Sequence, residues 1–132
     1  MDTRTAALDI EMIVVDSSIC IDHIRSPELH LDQLLLREHA LMHPHVLGEI
    51  VLGSLRNRKQ VLLRFGRLPG PNFAREGYVE FLIDEMELFA TGIGYTDAHL
   101  LASARLTPDG MLWARDKRLH AEAERLGVAY QP

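Results

Sequence analysis

Four carboxylates carry the chemistry open to this sequence: Asp16, Glu49, Asp97 and Asp116. Asp16 directly follows the β-branched run Ile13-Val14-Val15, and Asp116 closes the apolar run Met111-Leu112-Trp113-Ala114. Glu49 is the single acid of a helix expected over Pro44–Leu52. Asp97 follows a glycine loop, Gly92-Ile93-Gly94, and sits where a helix through Arg105 should begin. An acid in that place can be a plain helix cap. Four acids brought together repel one another and raise each other's pKa unless a cation lies among them. Hard divalent ions, Mg²⁺ or Mn²⁺, suit such an all-oxygen donor set. They can activate a water and neutralise charge on a phosphate. The chain has no G-x-S-x-G for serine hydrolysis and no Walker loop for ATP chemistry.

The elements that must position these acids follow from the hydrophobic pattern. Ile13-Val14-Val15 lacks alternation, as a strand buried on both faces does. Ser17-Ser18 can cap a helix through Ile24, and Pro27 can open the next, with Leu29, Leu31, Leu34, Leu35 and Leu36 as a broad apolar face. Ala40 to His43 is a second strand, and Pro44 starts a helix ending near Gly53. Ser54 to Arg67 reads as an amphipathic helix, broken by Leu68-Pro69-Gly70-Pro71. Glu76 to Phe89 is another helix, with Val79, Leu82, Ile83 and Met86 inward. Met111 to Ala114 is a buried strand, Lys117 to Leu126 a helix stopped by Gly127, and Val128 to Tyr130 a last short strand. Strands alternating with helices predict an α/β fold, a parallel sheet with helices on both faces. In such sheets ligands bind at the carboxyl ends of the strands, so the four acids are expected at one edge.

The chain has 132 residues and a net charge of −5, which fits one domain and excludes a surface basic throughout. A local basic stripe is still enough to hold nucleic acid. Ser54–Arg67 is one, with Arg56, Arg58, Lys59, Arg64 and Arg67 and no acid. It reads equally as a solvated helix face or as a surface that tracks phosphates. The lone Cys20 cannot form an internal disulfide and is expected against the sheet, so a reducing cytoplasm is the expected compartment. No run is apolar enough to span a bilayer, and no signal-peptide core opens the chain. His43 and His45 form an H-x-H pair that reads as a strand end or helix cap rather than a metal site. Residues 1–11 are pattern-poor and expected to be a poorly ordered extension, with the domain over 12–132.

The segments IVVDSSICIDHI, HVLGEIVLGSL, GIGYTDAHLLASARL and LWARDKRL, in this order and spacing, resemble the PIN domains of the VapC toxin family. The resemblance runs from Met12 to Gln131. It implies a three-layer α/β sandwich whose four acids bind Mg²⁺ or Mn²⁺ for RNA phosphodiester hydrolysis. Asp16 and Asp97 would be direct metal ligands, Asp116 a ligand directly or through water, and Glu49 would hold a water. Ser18 would support the site. Arg115, Lys117 and Arg118 would either assist RNA binding or form a solvated first helical turn. Such toxins form homodimers and are neutralised by an antitoxin whose tail lies across the active-site groove. The sequence departs from the family at Ala114, where Thr or Ser is usual, which removes a hydroxyl near Asp116.

Other readings remain open on the sequence. A catalytically silent PIN domain acting as an interaction module would not need all four acids. A receiver-type phospho-acceptor would need an acid pair after the first strand, where this chain has Asp16-Ser17-Ser18. DNA cleavage is chemically possible, because the acids do not read the 2′-hydroxyl.

Overall fold

The three strands that build the core are all parallel. The computed structural model describes residues 11–132. In it β1 (Met12–Val15) lies between β2 (Ala40–Leu41) and β3 (Gly110–Trp113). Ile13 pairs with Ala40 on one side, and Met12 to Val15 pair with Gly110 to Trp113 on the other. Ile13 and Val14 are fully buried, which accounts for the missing polar alternation. Seven helices among the described residues flank the sheet: α1 (Ser17–Arg25), α2 (Leu29–Leu36), α3 (Pro44–Leu52), α4 (Arg58–Gly66), α5 (Glu76–Glu85), α6 (Tyr95–Leu106) and α7 (Lys117–Arg125). This is the expected α/β, PIN-like sandwich. The expected N-terminal extension lies outside the described residues, apart from Glu11.

The longest of these helices, α6, is buried over Ala98–Ala104 and packs against β3 and β1. It meets the start of β3 so closely that a side chain at Gly110 would stand 2.2 Å from the Ala104 carbonyl oxygen. Glycine is therefore required there for backbone to approach backbone.

Several boundaries differ from expectation. The cap of α1 is Asp16, not a serine, and Ser17 is already helical. Pro27 stands outside α2, which is capped instead by Glu28. That helix buries Leu31 and Leu34, whereas Leu29 and Leu36 are 72% and 85% exposed. The second strand stops at Leu41 because the Met42 amide turns to the Pro69 carbonyl and His43 caps α3. The basic helix begins only at Arg58, after Asn57, which makes no side-chain cap bond. The helix expected through Phe89 ends at Glu85, and α6 starts at Tyr95 with Gly94 as its cap. The last strand is reduced to a single parallel bridge, Leu112 to Ala129. The Leu112 amide donates to Val128 and the Tyr130 amide to Leu112. A bridge one residue wide gives the chain end little edge to extend.

Candidate active site

The carboxyl edge of the sheet is where β1 and β3 hand over to helices, and each handover is made by an acid. Asp16 stands at the cap position of α1 in extended backbone, yet its side chain makes no capping bond. The carboxylate is left for other partners. Ser18 Oγ lies 3.4 Å from Asp16 Oδ2, long for a hydroxyl bond. Ser17 Oγ reaches across the fold and donates to Glu49 Oε2 at 2.6 Å. That bond joins the first turn of α1 to α3 and leaves Glu49 Oε1 free.

Asp97 occupies the third position of α6 and accepts from the Gly94 amide at 3.1 Å through Oδ2. Asp116 caps α7, with Oδ1 accepting from the Arg118 and Leu119 amides at 2.9 and 3.0 Å. The plain-cap role open to such acids is thus real for Asp116, and partly so for Asp97. Each still has an oxygen outside these bonds.

The acids feel one another. Burial pushes the Asp16 carboxyl above its ordinary value, and the charges of Asp97 and Glu49 push the same way. Burial also raises Asp97, with Asp116 and Glu49 adding to it. The Gly94 amide, bonded to Asp97, and the Ser17 amide beside Asp16 oppose these shifts without cancelling them. Among the described residues, however, no three His, Cys, Asp or Glu side chains stand close enough to hold a metal ion. The carboxylates share a field without forming a cage. An all-oxygen donor set whose members destabilise one another's charge is chemically fitted to a hard divalent cation.

The basic residues divide into engaged and free groups. Arg115 is tied to Asp22 at 2.9 Å and to Glu28 at 3.8 Å. Arg64 is tied to Asp32 at 3.3 Å. Arg58 donates to the Val51 carbonyl. Arg56 lines a cleft with Ile21, Ile24, Ile50 and Phe65. Lys59 and Lys117 are exposed. Arg118 lies over the loop before Asp97: a side chain at Gly92 would stand 2.8 Å from Arg118 Cδ. Gly92 has φ +90°, so the backbone favours glycine there, while the exposed Arg118 stem could move aside.

Ser17 is the participant that sequence reasoning missed, because it reads as a local cap and its partner is 32 residues away. Cys20 is buried as expected, and burial pushes its thiol up to about 12, which makes it unreactive at neutral pH. His43 is fully buried at the cap of α3, and its Nδ1 accepts from the His45 amide at 3.0 Å. Ala114 is buried and offers no hydroxyl to the neighbouring acid.

A parallel sheet between helices, with acids at its carboxyl edge, defines the class: a PIN-like α/β domain. Ribonuclease VapC32, from two strains of Mycobacterium tuberculosis, is 38% identical to the chain over 118 residues. The aligned region covers 89% of this chain and 95% of the relative. The chain belongs to the VapC ribonuclease family. No protein-family profile matches it, and no solved structure does either. No helix among the described residues is long and apolar enough to cross a membrane.

Proposed function

We propose that this protein is the toxin of a type II toxin–antitoxin pair, an endoribonuclease that needs Mg²⁺ or Mn²⁺ to hydrolyse phosphodiester bonds of cellular RNA. The observation that supports the reading is that Asp16 and Asp97 are both raised, first by burial and further by neighbouring carboxylates, with Glu49 acting on each. The similarity to a protein named as a ribonuclease supplies the substrate class.

With their side chains drawn closer than they stand in this fold, Asp16 and Asp97 would hold the cation directly, and Asp116 would contribute the oxygen that its helix cap leaves over. A divalent ion held there would neutralise charge at the phosphate and lower the pKa of a water. Ser17 holds Glu49 by Oε2, so Oε1 would be the oxygen that orients the attacking water. Ser18 supports the Asp16 carboxylate. Hydrolysis breaks one phosphorus–oxygen bond and adds water across it. Lys117 and the Arg56, Arg58 and Lys59 face would bind phosphates on either side of the cut. Arg115 takes part in that only by leaving its pairs with Asp22 and Glu28. The cognate antitoxin and a second copy of this chain are the expected protein partners, in the cytoplasm.

Incubating purified protein with total cellular RNA in Mg²⁺, Mn²⁺ or EDTA tests the reading. Discrete fragments that require metal are expected. Absence of cleavage in every condition by protein free of any co-purified partner would refute it.

A further inference from the structure

His43, His45 and His99 pack together where the start of α3 meets α6. Ring centroids lie 4.6 Å apart for His45 and His99, 4.9 Å for His43 and His45, and 6.3 Å for His43 and His99. Phe73 stacks on His43 at 5.6 Å, and Tyr95 meets His99 edge-on at 4.8 Å. His43 is 0% and His99 2% exposed. Each ring has a buried nitrogen with no partner among the described residues: His43 Nε2, His45 Nδ1 and His99 Nδ1.

These three nitrogens are not alike. His43 Nδ1 accepts the His45 amide proton, so the proton of the neutral ring sits on Nε2. Burial and the neighbouring imidazoles push His43 down to about 4, which keeps it neutral at physiological pH. Its Nε2 is therefore a donor and cannot ligate a metal. His45 Nδ1 and His99 Nδ1 can each present a lone pair. One donor and two acceptors on rings packed this closely match the bonding of a single water, which can accept once and donate twice. Ser103 Oγ, also unpaired, can turn to the carbonyl four residues back in its own helix.

We propose that His43, His45 and His99 bind one water between them and through it lock α3 to α6. The consequence for catalysis rests on the reading of Glu49 and Asp97 as the hydrolytic edge. His45 lies one helical turn before Glu49 on the same face, and His99 is two residues beyond Asp97. A tie between the imidazoles fixes the distance between the two acid-bearing helices. The three histidines are thus positioning residues for the acids.

Long-range nitrogen–proton correlation spectra of the full chain at neutral pH read the tautomers directly. All three rings should carry their proton on Nε2 and leave Nδ1 bare. Protons on Nδ1 of both His45 and His99 would overturn the water site, since three donors would then meet a water that accepts only two hydrogen bonds. Stoichiometric Zn²⁺ should leave these signals in place; their displacement would mean a metal site instead. His43→Asn keeps a capping oxygen and loses the Nε2 donor. It should fold and bind Mn²⁺ roughly tenfold more weakly, as loss of a supporting shell does. His99→Phe, which keeps the ring volume, should do the same. Unchanged Mn²⁺ affinity in either folded variant would remove the positioning role. If the wild-type chain bound no Mn²⁺ at all, the proposed function would fail, whereas the tautomers would still decide the water site.

Discussion

The ends of β1 and β3 present one sequence pattern and two physical outcomes. In both, an acid stands at the cap of the helix that follows a buried strand. Asp116 spends Oδ1 on two helix amides. Asp16, in the same position, makes no capping bond, is half-buried, and is raised by burial and by Asp97 and Glu49. A cap residue that does not cap gives up about 1 kcal/mol of helix stability. The difference separates an acid engaged by its helix amides from one whose carboxylate stays open to other partners.

The largest break in this comparison should come from Asp16→Asn and Asp116→Asn measured side by side. Asp16→Asn should lower RNA cleavage roughly a thousandfold, equivalent to about 4 kcal/mol of transition-state stabilisation. Asp116→Asn, which keeps the cap and one oxygen, should lose less. Equal losses in single-turnover rates would show that both acids work alike. A smaller effect is expected on folding. Asp116→Ala should cost about 1 kcal/mol in denaturant unfolding, and Asp116→Asn much less. Asp16→Asn should cost nothing or stabilise the metal-free protein, because it removes a charge that Asp97 and Glu49 oppose.

The pH dependence sharpens the same point. The folded-state pKa of Asp16 is raised above the ordinary carboxyl value of 3.8. The folded protein therefore holds this proton more firmly than the unfolded chain. Its contribution to stability is fully present below 3.8 and is lost as pH rises through the raised value. Asp97 behaves in the same sense. Metal-free wild-type protein should accordingly lose stability relative to Asp16→Asn over that window, and saturating Mg²⁺ should shrink the gap. A gap that opened in the opposite direction would contradict the account of a carboxylate opposed by burial and by its like-charged neighbours.

Much of this was legible in the chain itself. The unbroken apolar runs marked β1 and β3 because burial on both faces leaves no room for alternation. Pro44 and Gly53 bounded α3, since each has a backbone preference that acts locally. What remained hidden depends on contacts distant in sequence. Nothing near Ser17 says that its hydroxyl will be taken by Glu49 rather than by its own helix. Leu29 and Leu36 are as apolar as the rest of α2, but the helical period sets them on the side opposite the buried Leu31 and Leu34. Arg115 looks like a free cation until α1 and Glu28 are folded against it. The three histidines are scattered over 57 positions, 43 to 99 inclusive, and only the fold, which sets the start of α3 beside α6, assembles them.

The central claim, that these acids form one divalent-cation site, is tested most directly by titrating Mn²⁺ into metal-free wild-type protein, Asp16→Asn and Asp97→Asn. Wild-type protein should bind and, at one hundred times its dissociation constant, gain about 2.7 kcal/mol of stability. Both variants should lose that gain. Binding of equal strength in all three proteins would place the ion elsewhere and contradict the account.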